Sequence, residues 1–237
     1  MYEANMNWEA RVAIDAAQSE RVAFIRRTYL HVGGAIVAFA ILLAALLNFV
    51  PPETMKQIFF ASRWSWLLVL GGFMAITWLA QSMAHSQASV GAQYVGLGLY
   101  VVAQALIFWP LIWLVTTLPN MTGVLPQAIV LTLALAAGLT MSVFITKADF
   151  SWMRSALCVG GWVALGLILV SIFFNFSLGV FFIIGMIALM CGFILYETSN
   201  VLHHYNTNQH VAASLAIFAS LATLFWYVIR LLMSMRE

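Results

Sequence analysis

The sequence predicts an all-α membrane protein, a bundle of seven transmembrane helices whose N-terminus is cytoplasmic. Three observations predict this class: the apolar composition, seven apolar runs of membrane-spanning length, and short connections between them. Hydrophobic residues make up 64% of the 237 residues and charged residues only 8%, against roughly 25% charged residues in soluble domains. The mean hydropathy of +0.98 points the same way.

Seven apolar runs each approach the length that a bilayer crossing needs, about 20 residues. Helices are the required interpretation, because strands of a membrane barrel are shorter and alternate in polarity, and hydrocarbon leaves no backbone group unpaired. The predicted spans are Leu30 to Val50, Trp64 to Ala84, Gly91 to Val115, Leu125 to Thr146, Ser155 to Phe174, Leu178 to Thr198 and Val211 to Leu232.

The connections leave no room for a soluble domain. Pro51 and Pro52 break the chain after the first span, Pro119 after the third, and Asn175 after the fifth. We therefore predict one seven-helix domain over residues 29–237.

Residues 1–28 form the sizeable polar segment, predicted as a cytoplasmic tail with a loose helix around Trp8, Val12 and Ala16. A surface-lying amphipathic tail is an equally good interpretation. The segment lacks the basic start and short apolar core of a signal peptide, so the first span is expected to remain as an uncleaved anchor.

Basic residues beside the spans predict the orientation. Six of them fall on the side of the N-terminus: Arg11, Arg21, Arg26, Arg27, Lys147 and Arg154. Lys56, Arg63 and Arg236 fall on the other side, with Arg230 near the end of the last span. The excess places the N-terminus in the cytoplasm and the C-terminus outside.

Several function classes are excluded on composition and motifs. A formal charge of +2 is too small for nucleic-acid binding, and the expected contact is with membrane lipid. No Gly-x-Ser-x-Gly elbow, His-Glu-x-x-His zinc pair, Walker A loop or dinucleotide fingerprint is present. The sequence therefore predicts a protein that is not an enzyme and identifies no small-molecule substrate.

Glu197 is the most informative single residue. It closes a run from Leu178 to Tyr196 that contains no other charged side chain. An acidic side chain at mid-membrane costs roughly 2.5–3.5 kcal/mol on insertion scales, so it usually faces a protein interior or a water-filled cavity. Glu197 therefore marks a candidate ion or proton path.

His203, His204 and His210 stand in the predicted connection between the last two spans. A metal site, a pH-responsive loop and ordinary solvated histidines are the three interpretations. Adjacent histidines on a helix point about 100° apart, and the connection holds no cysteine or carboxylate to complete a tetrahedral site. Solvated histidines are favoured and no metal site is predicted.

Glycines within the spans are interpreted as contact points between closely packed helices. They are Gly33, Gly34, Gly71, Gly72, Gly96, Gly98, Gly160, Gly161 and Gly166. Pro110, late in the third span, removes a backbone donor and is expected to kink or end that helix.

Two stretches carry a resemblance to a known family. Thr146-Lys147-Ala148-Asp149-Phe150-Ser151, after the fourth span, resembles the Thr-Lys-x-Asp-Phe-Ser signature of the Bax inhibitor family. Ile194-Leu195-Tyr196-Glu197-Thr198-Ser199-Asn200 and the closing span resemble the rest of its C-terminal half. On the residues alone, Asp149 is interpreted as a solvated interfacial charge or a cap before Trp152.

The resemblance implies a helical bundle in which two acids, one from each of the last two spans, pair near the cytoplasmic side and gate a pH-sensitive calcium leak. In this sequence the two positions are matched by Glu197 and Ser220, with Thr223 nearby. These three residues are the candidates for ion or proton sensing. The resemblance implies no bound cofactor apart from calcium as the ion passed.

Two carboxylates in contact share a proton and respond steeply to pH, whereas Glu197 opposite a hydroxyl cannot do so. Glu197 with Ser220, and the Glu-Thr-Ser-Asn run, resemble the bacterial YccA-like branch of the family. That resemblance implies an inner-membrane protein that modulates FtsH, a membrane-anchored ATP-dependent protease, and is its slowly degraded substrate. The alternative is a pH-sensitive calcium or cation leak centred on Glu197.

Overall fold

The computed structural model describes residues 12–62, 64–85 and 90–236. These residues form eight α-helices and two single turns of 3-10 helix at Pro119–Met121 and Ser151–Met153. The α-helices are α1 (Gln18–Phe49), α2 (Pro52–Phe59), α3 (Ser65–Ala84), α4 (Val90–Thr117), α5 (Val124–Thr146), α6 (Arg154–Phe174), α7 (Val180–His203) and α8 (His210–Ser234).

All of these α-helices except α2 are long and apolar enough to cross a membrane, so the predicted seven-helix membrane fold is confirmed. Successive spans run in opposite directions, which brings residues 12–17, 147–153 and 204–209 to one end of the bundle. We call this the amino end. The cytoplasmic location of the amino end stays a prediction, and Arg11 and Arg63, two of the charges behind it, lie outside the described residues.

Three predictions about the helices need correction. Helix α1 begins at Gln18, not near Leu30, because its first turns cover part of the polar segment. The loose helix around Val12 and Ala16 is wrong, since residues 12–17 form a bridge and a turn; Trp8 lies outside the described part. Helix α7 continues to His203, which places Glu197 well inside the helix and not at its end.

Helix α2 is an element that the sequence did not predict. Pro51 and Pro52 end the first span as expected, but Pro52 also starts the new helix, since proline is preorganised for the first helical position. Met55 and Phe59, one turn apart, are buried on its inner face. Eight residues are too few to cross a bilayer, so α2 caps the bundle.

Helices α4 and α8 contribute the largest buried shares of their length among the seven spans. Their contact with α1 is an aromatic cluster around Phe108, which is 1% exposed. Its ring lies edge-on to Phe39 at 5.0 Å and to Trp226 at 5.1 Å, and stacks on Phe225 at 5.7 Å. Offset and edge-to-face arrangements of this kind are the favoured ones.

The interpretation of the glycines is confirmed at two positions and wrong at the others. At Gly96 a Cβ atom would lie 2.6 Å from the carbonyl oxygen of Ala80, so α4 crosses α3 with no space for a side chain. At Gly160 it would meet the side chain of Leu189. The other seven predicted contact glycines have no such neighbour. Helix α4 continues past Pro110, so of the two predicted effects of this proline, a kink or an end of the helix, the end is excluded.

The start of the described chain is tied to the connection between α7 and α8. Val12 forms an antiparallel bridge with Asn206, and the backbone N–H of Ala13 donates to the carbonyl of Tyr205 at 2.9 Å. Ala13 is fully buried there. The segment before α1 is therefore docked on the last helical hairpin at the amino end.

Candidate functional site

The two sequence motifs meet at the amino end through Ser199, a fully buried residue of α7. Its hydroxyl oxygen accepts a hydrogen bond from the backbone N–H of Phe150 at 2.9 Å. The hydroxyl proton has two acceptors within reach, the carbonyl of Ala148 at 3.3 Å and a carboxylate oxygen of Asp149 at 3.4 Å. One serine thus fixes the loop between α5 and α6 on α7.

The first residues of that loop end α5. The Thr146 hydroxyl donates to the carbonyl of Ser142 at 2.8 Å and accepts from the N–H of Ala148 at 3.3 Å. Lys147 follows in the left-handed conformation, with φ 53°, and its N–H closes the last turn on Val143. Thr146 and Lys147 therefore build the turn that delivers Asp149 and Phe150 to Ser199.

Asp149 connects the end of this loop to the residues that follow α7. One carboxylate oxygen accepts from the backbone N–H of Ser151 at 2.8 Å and faces Nε2 of His204 at 3.3 Å. The Ser151 N–H, with a smaller contribution from His204, lowers the pKa of Asp149 from its usual 3.8 to about 2. The predicted exposed, turn-capping aspartate is therefore present, and it also forms an ion pair with His204 when that ring is protonated.

Glu197 is half-buried two turns before the end of α7. Its carboxylate accepts a hydrogen bond from the side-chain amide of Asn200 at 3.4 Å and one from the hydroxyl of Tyr205. Burial, and next the charge of Glu197, raise the pKa of Tyr205, so this phenol keeps its proton and acts as the donor. Arg154, at the start of α6, adds a favourable positive charge.

Ser220 and Thr223 make their hydrogen bonds within α8. The buried Ser220 hydroxyl donates to the carbonyl of Ala216 at 3.2 Å, and Thr223 donates to the carbonyl of Ala219 at 2.9 Å. The structure thus gives Glu197 the donors Asn200 and Tyr205, whereas the serine and threonine hydroxyls are occupied by their own helix. The three residues do not form one hydrogen-bonded group in the described part of the protein.

The neighbours of Glu197 line a polar cleft of about 500 Å³ that opens at the amino end. Its lining combines cationic, titratable and amide side chains: His85, Ser151, Arg154, Tyr196, Asn200, His204, Tyr205 and Gln209. These residues come from the ends of α3, α6 and α7 and from the connection before α8. A cleft with this lining suits water, ions or a polar peptide segment better than an apolar ligand.

Residues 21–237 match the family model for the inhibitor of apoptosis-promoting Bax1. The chain belongs to the Bax inhibitor-1 family. Bax inhibitor 1 of Schizosaccharomyces pombe is 26% identical over 223 residues, which covers 92% of this chain and 79% of the yeast protein.

Bacterial relatives match over about half of their length. An uncharacterised protein of Pseudomonas aeruginosa is 31% identical over 117 residues, covering 49% of this chain and 52% of that protein. An uncharacterised membrane protein of Vibrio cholerae is 29% identical over 124 residues, covering 52% and 55%. These matches confirm the family resemblance that the two motifs suggest.

In this Bax inhibitor family member the sequence located the motifs but not all of the residues that join them. Ser199 is conspicuous in the sequence only as part of the Glu-Thr-Ser-Asn run, and Tyr205 and Arg154 carried no functional signal. A half-buried acid needs nearby donors, and that requirement points to the polar residues within one or two turns of Glu197. His203 and His210 lie in helices, and only His204 stands in the connection.

The lowered pKa of Asp149 makes a testable prediction. The chain has two aspartates, Asp15 and Asp149, so carboxyl-¹³C labelling of aspartate gives two signals, assigned with Asp15→Asn. We expect Asp149 to titrate near pH 2 and to remain below 3.8 in His204→Ala, because the Ser151 N–H is the largest cause. Because the folded pKa is depressed, this contribution to stability is present above the unfolded value of 3.8 and is lost as pH falls towards 2. A return to 3.8 in His204→Ala would assign the effect to the histidine.

Proposed function

We propose that this protein is a modulator and slowly degraded substrate of the FtsH protease in a bacterial inner membrane. The resemblance of the Glu197 to Asn200 run to the YccA-like branch supports this role. The observation that carries it is the docking of the amino-terminal segment: Val12 bridges Asn206, and buried Ala13 donates to Tyr205. A protease that engages the chain near its start meets a segment that is already fixed to the bundle.

Slow degradation follows from this docking. Proteolysis that is slower than local opening and closing proceeds in proportion to the open population. The bridge at Val12 and the buried Ala13 lower that population, and α1 continues from Gln18 for 32 residues as one helix. A substrate of this kind occupies the protease for long periods, which restrains its action on other membrane proteins.

The surroundings of Glu197 also favour an interaction role over a two-acid calcium sensor. Asn200, Tyr205 and Arg154 supply hydrogen bonds and positive charge to the carboxylate. Calcium usually gathers six to eight oxygen ligands, often from more than one carboxylate. A cation at Glu197 would compete with Arg154.

Two variants test the role of the tail with purified FtsH and ATP in proteoliposomes. Deleting residues 1–11 is expected to abolish degradation, because the remaining chain starts at the docked segment. Ala13→Asp is expected to speed degradation severalfold, because a carboxylate in this buried position opens the docking contact.

Ile14→Asp is the matched control, since the Ile14 side chain is 49% exposed next to Ala13, and its rate should equal that of the natural protein. Helical content and gel-filtration behaviour establish that the bundle is intact in each case. Unaltered degradation of the truncated protein would overturn the proposal.

A cation leak centred on Glu197 is the second candidate, favoured by the polar cleft of about 500 Å³ beside it. If the cleft leads ions to this carboxylate, Glu197→Gln changes calcium flux into proteoliposomes, or its ratio between pH 6 and pH 8. Glu53→Gln, an exposed acid on α2 at the other end, is the control. Equal flux in the natural protein and Glu197→Gln at both pH values would remove the carboxylate from any conduction mechanism.

A further inference from the structure

Three titratable rings meet between α1, α4 and α8 near the amino end, and none of them lines the polar cleft. Nε2 of His31 lies 3.0 Å from the hydroxyl oxygen of Tyr94, and that oxygen lies 3.4 Å from Nε2 of His210. The two imidazole centroids are 5.1 Å apart. A single phenol therefore connects two histidines from different helices.

The backbone fixes which atoms carry protons in this group. Nδ1 of His31 lies 2.7 Å from the carbonyl oxygen of Arg27, and a carbonyl only accepts, so the His31 proton is on Nδ1. In the neutral ring Nε2 then accepts the Tyr94 hydroxyl proton. Tyr94 has no second proton, so its oxygen must accept from an N–H at Nε2 of His210.

This assignment leaves Nδ1 of His210 without a proton. The atom is buried and has no hydrogen-bond partner among the described residues. It is an acceptor site without a donor, next to a hydrogen-bonded chain that crosses three helices.

We infer that His31, Tyr94 and His210 form a proton-binding site that joins α1, α4 and α8 while His210 is neutral and releases them when His210 takes up a proton. The site is separate from Glu197, and the inference does not depend on the protein's role towards a protease.

A proton added at His210 disrupts the chain. On Nδ1 it creates a buried N–H with no acceptor among the described residues, which costs free energy. A proton on Nε2 of His31 does not, because the exposed phenol of Tyr94 can turn its own proton outwards and accept from both histidines. The response to pH is therefore assigned to His210.

The charges on the neighbouring helices act in the same direction. His210, on α8, faces Arg27 and His31 of α1, and Tyr94 of α4 contributes a neutral phenol. A positive imidazolium would therefore stand beside a permanent guanidinium cation and a second titratable ring. Histidine ordinarily changes charge between pH 5 and 8. The three helices should therefore be joined by the hydrogen-bonded chain at pH 8 and released from it at pH 5.

Dipolar electron paramagnetic resonance between spin labels on α1 and α4 tests this directly. Val22 and Val95 are exposed positions near the start of each helix and accept labelled cysteines, with Cys158 and Cys191 replaced by serine. We expect a short distance at pH 8 that is lost at pH 5. An identical distance distribution at both pH values would overturn the inference.

Two substitutions identify the group responsible. His210→Gln keeps an N–H for Tyr94 but does not titrate, so the short distance should persist at pH 5. His85→Gln is the control, because the His85 ring is also at the amino end and, among the described residues, bonds the carbonyl of Gln81 in its own helix; its pH response should equal that of the natural protein. A full pH response in His210→Gln would exclude the histidine.

A measurement on the natural protein does not depend on any variant. Nitrogen-15 spectra of labelled histidine at pH 8 distinguish the two neutral tautomers. We expect the proton on Nδ1 in His31 and on Nε2 in His210. The opposite tautomers would contradict the hydrogen-bonded chain from which the inference starts.

Discussion

Replacing Phe108 by alanine is expected to lower the free energy of unfolding by about 3–5 kcal/mol. The ring is 1% exposed and contacts Phe39 of α1 and both Phe225 and Trp226 of α8. In a membrane, helices gain little from leaving lipid, and close packing between them supplies much of the stability. The cavity left by this ring removes contacts to two other helices at once.

Leu106→Ala is the matched control, because Leu106 lies on the same helix but is 41% exposed. Its truncation should cost far less, since lipid replaces the lost contacts. Reversible denaturation in detergent micelles measures both variants. If the two substitutions destabilise the protein equally, the aromatic cluster is not the centre of the bundle.

Ser199→Ala is expected to cost about 3 kcal/mol, the upper part of the range for removing the partner of a buried polar group. The variant leaves the N–H of Phe150 without its acceptor and the carbonyl of Ala148 without its donor. Asp149 also loses a contact on the side facing α7. The loop after α5 should therefore detach before the bundle unfolds.

Ser214→Ala is the control for this substitution. Ser214 is equally buried, but its hydroxyl donates to the carbonyl of Val211 in its own helix, so its loss should cost about 1 kcal/mol or less. Hydrogen exchange reports the loop directly, since the amide of Phe150 should exchange faster in Ser199→Ala alone. Equal exchange in both variants would show that Ser199 does not hold the loop.

The spans were predictable because the thickness of the bilayer sets the length of each apolar run, about 20 residues. Each observed helix from α3 to α6 begins and ends within two residues of its predicted bounds. The errors fall where that constraint stops: α1 extends outward over the polar residues from Gln18, and α7 extends to His203. Helix α2 was missed because eight residues are far shorter than a membrane span and carry no membrane signal.

The site was predictable as two motifs but not as a contact. Ser199 and Phe150 are separated by 49 positions and by α6, and hydrophobic periodicity says nothing about such a pair. For Glu197 the sequence predicts that hydrogen-bond donors lie nearby, but it does not identify which residues supply them. His31 and Tyr94 carried no signal, because their meeting with His210 depends on how α1, α4 and α8 cross.

The bridge between Val12 and Asn206 makes the start of this chain mechanically continuous with its last hairpin. A pulling force on the chain before Val12 acts on Tyr205, because the carbonyl of Tyr205 accepts the hydrogen bond from the N–H of Ala13. The hydroxyl of the same tyrosine hydrogen-bonds the carboxylate of Glu197. The docked segment and the carboxylate of Glu197 therefore share one hydrogen-bonded neighbour, Tyr205, and a force that undocks the segment acts on the surroundings of this acid.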